Sequence, residues 1–106
     1  MSHVEPVSFA VLAEPSRRTI LDVLRDGERP VGDLVRHLHL SQPAVSKHLR
    51  VLREAGLVEV RTDAQRRLYR LRAEPLAEID EWLEPYRRHW SARLDALERH
   101  LEENPE

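Results

Sequence analysis

Gln42, Ser46, Lys47 and Arg50 recur along one face of a helical stretch, and Arg66 and Arg67 follow in a basic hairpin. These side chains are hydrogen-bonding groups and fixed positive charges. A Gln amide can pair in two-pronged fashion with adenine, and Lys and Arg favour guanine edges or phosphate oxygens. That is recognition chemistry rather than bond-making chemistry. No Ser-His-Asp grouping, paired-acid arrangement, phosphate loop or metal motif has a recognisable context, so an enzyme is the weakest reading. Cysteine is absent, which removes disulfides, thiolate metal sites and thiol redox sensing together.

The elements that must position these residues can be read from periodicity. Phe9, Val11 and Leu12 make a short apolar helix before Glu14-Pro15. Pro15 suits the first turn of a second helix, whose buried stripe is Ile20, Leu21, Val23 and Leu24 and whose end is marked by Gly27. Val31, Leu34, Val35 and Leu38 give a short third helix. His39 and Leu40 leave room only for a tight turn. Ser41 is a good N-cap for a fourth helix, with Pro43 tolerated in its first turn. Val45, Leu49 and Leu52 then share an inward face flanked by Ala44 and His48, and the polar residues point away.

Gly56 stops the fourth helix, and Leu57, Val58 and Val60 switch the period towards two. A partner strand runs from about Arg67 to Arg72, with a polar turn from Thr62 to Gln65. Alternation puts Tyr69 and Leu71 on the inner face and Leu68, Arg70 and Arg72 on the outer one. Arg66 and Arg67 lie near the tip. Arg70 and Arg72 read equally well as solvated edge-strand charges that discourage aggregation. The fold class is mainly α with a small β-hairpin wing: a winged helix-turn-helix, the arrangement that sets one helix in a DNA major groove with a wing beside it. One domain is expected over residues 1–106, with a DNA-binding core at 8–72 and C-terminal helices at 74–103.

The net charge of −2 argues against a polyanion partner until its distribution is considered. Residues 1–41 sum to −1, residues 42–73 to +5 and residues 74–106 to −6. Local charge sets attraction to phosphates, so a basic middle is masked by an acidic tail. No apolar run suits a bilayer and no signal peptide is expected at the start. A cytoplasmic location and no membrane partner follow as expectations.

Leu76, Ile79, Leu83, Tyr86, Trp90, Leu94, Leu97 and Leu101 recur at steps of three and four, with Trp82 beside them. Such a stripe exceeds what a small core needs. It suits association of two copies, assisted by Phe9 and Leu12 of the first helix. Intramolecular packing over the domain and an aromatic small-ligand pocket are the alternatives. Pro85 removes a hydrogen bond and disfavours helix at Glu84, which predicts a kink or two helices meeting there.

Three segments in this order and spacing, AEPSRRTIL, VGDLVRHLHLSQPAVSKHLRVLREAGLV and RRLYRL, carry a family resemblance over most of residues 9–71. The chain resembles the winged helix-turn-helix of ArsR-type bacterial transcriptional regulators. The resemblance implies a homodimer that binds an inverted-repeat operator in double-stranded DNA and represses transcription. It places Gln42, Pro43, Ser46, Lys47 and Arg50 at the major groove, beside the capping Ser41, with Arg66 and Arg67 in the wing.

The resemblance also raises metal sensing, and the residues do not support it. The type with cysteines in the third helix cannot exist in VGDLVRHLH. The type with ligands on the C-terminal helix maps, counting from Tyr69, to Ala73, Pro75, Tyr86 and His89, of which only His89 is a metal-ligand type. His89, His100 and Glu103 share a helix face, but His89 and His100 stand roughly 16 Å apart. One ion with bonds near ~2 Å cannot join them within one helix, although an antiparallel partner helix could. His37 and His39 do not share a helical face. No metal and no cofactor is expected, and the residues name no inducer. Two further classes stay open: a winged-helix protein–protein module and a sequence-neutral DNA binder.

Overall fold

The computed structural model describes residues 6–103. The elements are α1 (Pro6–Leu12), α2 (Pro15–Arg25), β1 (Arg29–Pro30), α3 (Val31–Leu38), α4 (Gln42–Glu54), β2 (Val58–Asp63), β3 (Arg66–Leu71) and α5 (Glu74–Glu103). The chain is mainly helical with an antiparallel sheet in the order β1-β3-β2. This is the winged helix-turn-helix expected from periodicity.

Local signals start and stop the helices. The Glu14 carboxylate accepts the Ser16 amide at 3.3 Å, and Pro15 occupies the first turn of α2. The turn between α3 and α4 rests on His39, which is left-handed at φ 56° and ψ 36° and donates its N–H to the Val35 carbonyl at 3.0 Å. Histidine is among the few side chains enriched in that region. Ser41 then caps α4: its hydroxyl oxygen accepts the Ala44 amide at 3.3 Å. At the far end the Gly56 amide donates to Arg53 and the Leu57 amide to Leu52, both at 3.0 Å. Gly56 sits at φ 78°. This pair of bonds is a Schellman closure, and its apolar contact is between Leu52 and Leu57, both fully buried.

The core gathers Ile20, Leu34, Val45, Leu49, Leu52 and Leu57, each almost without solvent exposure. Complete burial of such side chains contributes about 1.5–3 kcal/mol each. A helix of the length of α4 is marginal alone in water, so α4 owes its persistence to this packing rather than to propensity. Two arginines of α2 hold α1 in place. Arg17 Nε donates to the Val11 carbonyl at 2.7 Å, and Arg18 donates to the Leu12 carbonyl at 2.7 Å. They satisfy helix-end carbonyls that lack an intrahelical partner. Arg17 also lies 3.4 Å from His48 Nδ1, linking α1 to α4.

The structure adds one strand and changes three sequence expectations. β1 has only two residues and no periodicity to read, yet Arg29 and Pro30 pair with Tyr69 and Leu68. The wing turn is tighter than Thr62 to Gln65: Asp63 and Arg66 are already paired, leaving Ala64 and Gln65 as the connection, with Ala64 at φ 58°. Leu68 does face the opposite way from Tyr69, but it is buried rather than outward, because β1 makes β3 the central strand. Finally, α5 is one helix assigned continuously through Pro85, not two. Arg87 reaches back across the proline to Asp80 at 2.7 Å and Glu84 at 2.5 Å, and Arg88 lies 3.6 Å from Glu84.

Gly56 and Ala64, both left-handed, have opposite fits to their backbone. A Cβ at Gly56 would meet Pro75 at an ordinary 3.7 Å, so Gly56→Ala should cost about 1–2 kcal/mol from the backbone alone. Ala64→Gly should raise stability by up to about 1 kcal/mol, because glycine's extra unfolded freedom offsets part of the relief. Urea midpoints moving in opposite directions are the expected result.

Candidate nucleic-acid interface

With Val45, Leu49 and Leu52 locked inward, the other face of α4 has no choice but solvent. Ser41, Gln42, Pro43, Ser46, Lys47 and Arg50 are all exposed, as is Arg53 one turn further on. Ala44 and His48 flank the buried stripe at intermediate burial. The Ser41 hydroxyl uses its oxygen for the cap and keeps its proton to donate. Pro43, Ser46, Lys47 and Arg50 line a shallow cavity of about 360 Å³.

Register sorts the wing side chains into two rows. Val58 and Leu71, Val60 and Tyr69, and Thr62 and Arg67 oppose each other on one face. Glu59 and Arg70, Arg61 and Leu68, and Asp63 and Arg66 oppose each other on the other. Arg67 lies 5.9 Å from the centre of the Tyr69 ring, within the range of a cation–π contact. The buried ring therefore steadies the Arg67 guanidinium while the residue stays exposed.

Not every basic residue of residues 42–73 is available. The Arg61 guanidinium donates twice to Glu28, Nε to Oε2 at 2.9 Å and Nη2 to Oε1 at 2.5 Å. Arg70 is hydrogen-bonded to Glu59. Arg72 is only loosely paired, 3.8 Å from Glu59 and 3.6 Å from Glu74. Lys47, Arg50, Arg53, Arg66 and Arg67 have no ion pair with a described residue. Among the described residues, uncompensated cations thus remain along α4 and at the wing tip. Sequence reasoning missed Arg53, although its spacing from Gln42, Ser46 and Arg50 was a readable signal. It also missed Glu28, whose partner is 33 residues away.

The hydrogen bond from Arg61 and its positive charge hold the Glu28 carboxyl below its ordinary range, with Arg70 adding a further attraction and desolvation opposing them. Glu28 in turn raises the Arg61 guanidinium. The pair ties the approach to β1 to the middle of β2.

Large apolar side chains lie open elsewhere. Phe9 packs edge-on against Trp82 at 5.4 Å between ring centres, and Trp82 lies 5.0 Å from Tyr86. Trp82, Tyr86, Trp90, Leu94, Leu97 and Leu101 are 45–64% exposed, and no described residue of α5 is buried. Leu83 is half-buried, and Leu12 is partly buried against its own core. Leu76 packs against the core, whereas the stripe beyond Leu83 stays open and does not fold over the domain. His89, His100 and Glu103 are exposed on α5. Among the described residues no three His, Cys, Asp or Glu side chains gather as a metal site, and no helix is long and apolar enough to cross a membrane.

Residues 14–60 match the family described as "Bacterial regulatory protein, arsR family". The chain is 40% identical over 87 residues to the HTH-type transcriptional regulator Rv2034 of Mycobacterium tuberculosis, spanning 82% of this chain and 78% of that one. It is 32% identical over 75 residues to the transcriptional repressor SdpR of Bacillus subtilis, spanning 71% and 83%. Among solved structures, a possible transcriptional regulator for arsenical resistance is 41% identical, covers 86% of this chain and 92% of its own, and has a TM-score of 0.66. An ArsR-like transcriptional regulator from Rhodococcus sp. RHA1 is 30% identical, with 88% of each chain covered and a TM-score of 0.68.

The Glu28–Arg61 pair carries a pH signature. A carboxyl depressed in the folded state adds stability that is present above its unfolded pKa and lost as pH falls through the folded one. Side-chain NMR titration should find Glu28 ionising below the ordinary range of a glutamate. Arg61→Gln should move Glu28 back up and abolish that part of the acid-side loss; an unmoved Glu28 would show that the guanidinium is not the cause.

Proposed function

The chain belongs to the arsR family of bacterial regulatory proteins and is a DNA-binding transcriptional repressor of that type, not an enzyme, and we propose how its own residues carry that role. Regulators of this family bind operator DNA as dimers. In our reading α4 enters the major groove, with Gln42 and Ser46 at base edges and Ser41, Pro43, Lys47 and Arg50 against the rim and backbone. Arg66 and Arg67 reach from the wing to the minor groove or its phosphates. The carrying observation is the set of uncompensated cations on one exposed helix face and one hairpin tip, in a chain whose net charge is −2. In this reading residues 8–72 form the reading head and 74–103 the dimerisation element, and the protein works in the cytoplasm where operators are.

The second half of the proposal is a homodimer formed through Phe9, Leu12, Leu83, Tyr86, Trp90, Leu94, Leu97 and Leu101. Two observations support it. The radius of gyration is 18.8 Å, against about 13 Å for a compact chain of this size, because α5 projects from the body. A proline inside a helix also costs about 3 kcal/mol, and exposed ion pairs are individually too weak to offset that. Burial of the open stripe against a second α5 supplies the missing stabilisation. Two copies then present their α4 helices to successive major grooves about 34 Å apart on an inverted repeat.

Selection of bound fragments from the host genome at near-physiological salt tests the reading, with an enriched palindromic site as the expected result. Lys47→Ala and Arg67→Ala should weaken binding to operator and random DNA alike. Each should also flatten the salt dependence by roughly 0.9 for every phosphate no longer neutralised. Gln42→Ala and Ser46→Ala should instead narrow the gap between operator and random DNA. Equal behaviour of all four would undo these assignments. Absence of any enriched site, with tight binding to a protein partner, would favour an interaction module.

A separate outcome checks the dimer. Leu97→Glu should yield a monomer by sedimentation with the thermal melt of the reading head retained. Operator affinity should fall by about 100-fold or more, since the second half-site is no longer held at high effective concentration.

A further inference from the structure

We propose that the concave surface between α4 and the free edge of β2 is a cleft for a DNA phosphodiester strand, with Arg53 and Arg72 as backbone contacts beyond those at the helix start and wing tip. The proposal rests on the DNA reading above and extends it to a site that neither family resemblance nor spacing had assigned.

A cavity of about 550 Å³ lies there, lined in part by Arg50, Arg53, Glu54, Glu59 and Arg72. It shares Arg50 with the cavity formed by Pro43, Ser46 and Lys47. The two adjoin at Arg50 and together form a track from the start of α4 to the root of the wing. Gln42, Ser46, Arg50 and Arg53 follow each other at steps of four, four and three, which is one stripe on a helix. Arg53 stands about 16 Å along the axis from Gln42. With the front of α4 in a major groove and the wing tip at the neighbouring minor groove, the strand that separates the two grooves passes between helix and wing. The track occupies that place.

Its charges suit a phosphodiester. Three guanidiniums face two carboxylates, and one of these, Glu59, is hydrogen-bonded to Arg70 outside the cleft lining. Arg53 has no ion pair with a described residue. Arg72 is held only at 3.6 and 3.8 Å, too far for hydrogen bonds. A phosphate oxygen accepting a charge-assisted bond from Arg72 would be the closer partner. Glu59 is then a restraint on the cleft: it occupies Arg70 and draws Arg72 away, lowering attraction to DNA of any sequence.

The test is the salt dependence of binding by the full chain, on a selected operator and on a random duplex. Arg53→Gln should reduce the slope of log affinity against log salt by roughly 0.9 per copy and weaken both duplexes equally, with Arg53→Lys restoring most of it. Glu59→Gln should act in the opposite sense, tightening both duplexes and steepening the slope. Arg25→Gln, at an exposed charge on α2 without an ion pair to a described residue, should behave as the parent protein. Thermal melts should confirm that all variants fold. An Arg53→Gln slope equal to the parent's, while Lys47→Ala flattens it, would overturn the cleft and leave the DNA reading intact. A parent protein without salt-sensitive DNA binding would remove both. Saturable binding of inorganic phosphate in the cleft that survives excess duplex would also overturn it, since the site would then serve a free anion.

Discussion

Burial of Val45, Leu49 and Leu52 against α2, α3 and the start of the hairpin is the constraint from which the rest follows. A helix has one apolar stripe to hide, and hiding it fixes the rotation of the opposite face. Ser41 and the Gly56 closure then set where α4 begins and ends. The polar face cannot turn inward without exposing three aliphatic side chains worth several kcal/mol together. The exposed polar residues of α4 are thus held in place by the packing beneath them.

Electrostatics refines what packing presents. The basic middle of the chain is not a uniform patch. Glu28 and Glu59 bind the guanidiniums of Arg61 and Arg70 and draw on Arg72, so the outer face of the sheet is largely neutralised. Among the described residues, uncompensated charge survives along the exposed face of α4 and at the wing tip. Affinity for phosphates grows with each free cation and is blind to sequence. Pairing off some of them lowers the attraction of the chain to phosphates in general.

The other end of the molecule shows the same logic in apolar form. The acidic residues of α5 cover one side of a helix whose other side carries two tryptophans, a tyrosine and three leucines in the open. An exposed apolar row of this length marks an association surface. Its flank is acidic, whereas residues 42–73 are basic, so the charge imbalance along the chain separates the apolar row from the cationic surface.

Most of this was legible in the sequence because it is local or periodic. Ser41, Gly56 and the Val45/Leu49/Leu52 stripe act within a few residues, and the long row from Leu76 to Leu101 repeats with the helix itself. What could not be read were pairings between residues far apart in the chain, or between short segments without a repeat. The Glu28–Arg61 pair, the grip of Arg17 and Arg18 on the end of α1, and the strand β1 that buries Leu68 carry no periodic trace. Pro85 did not divide the helix for a related reason: the proline rule is local, whereas α5 continues with side-chain bridges spanning Pro85. The amino-acid sequence by itself determined the helices, the hairpin and which face of α4 turns inward, since periodicity and capping are short-range. Only the tertiary structure decided which of the cations in residues 42–73 remain free, because a charge is cancelled by whatever the fold brings beside it.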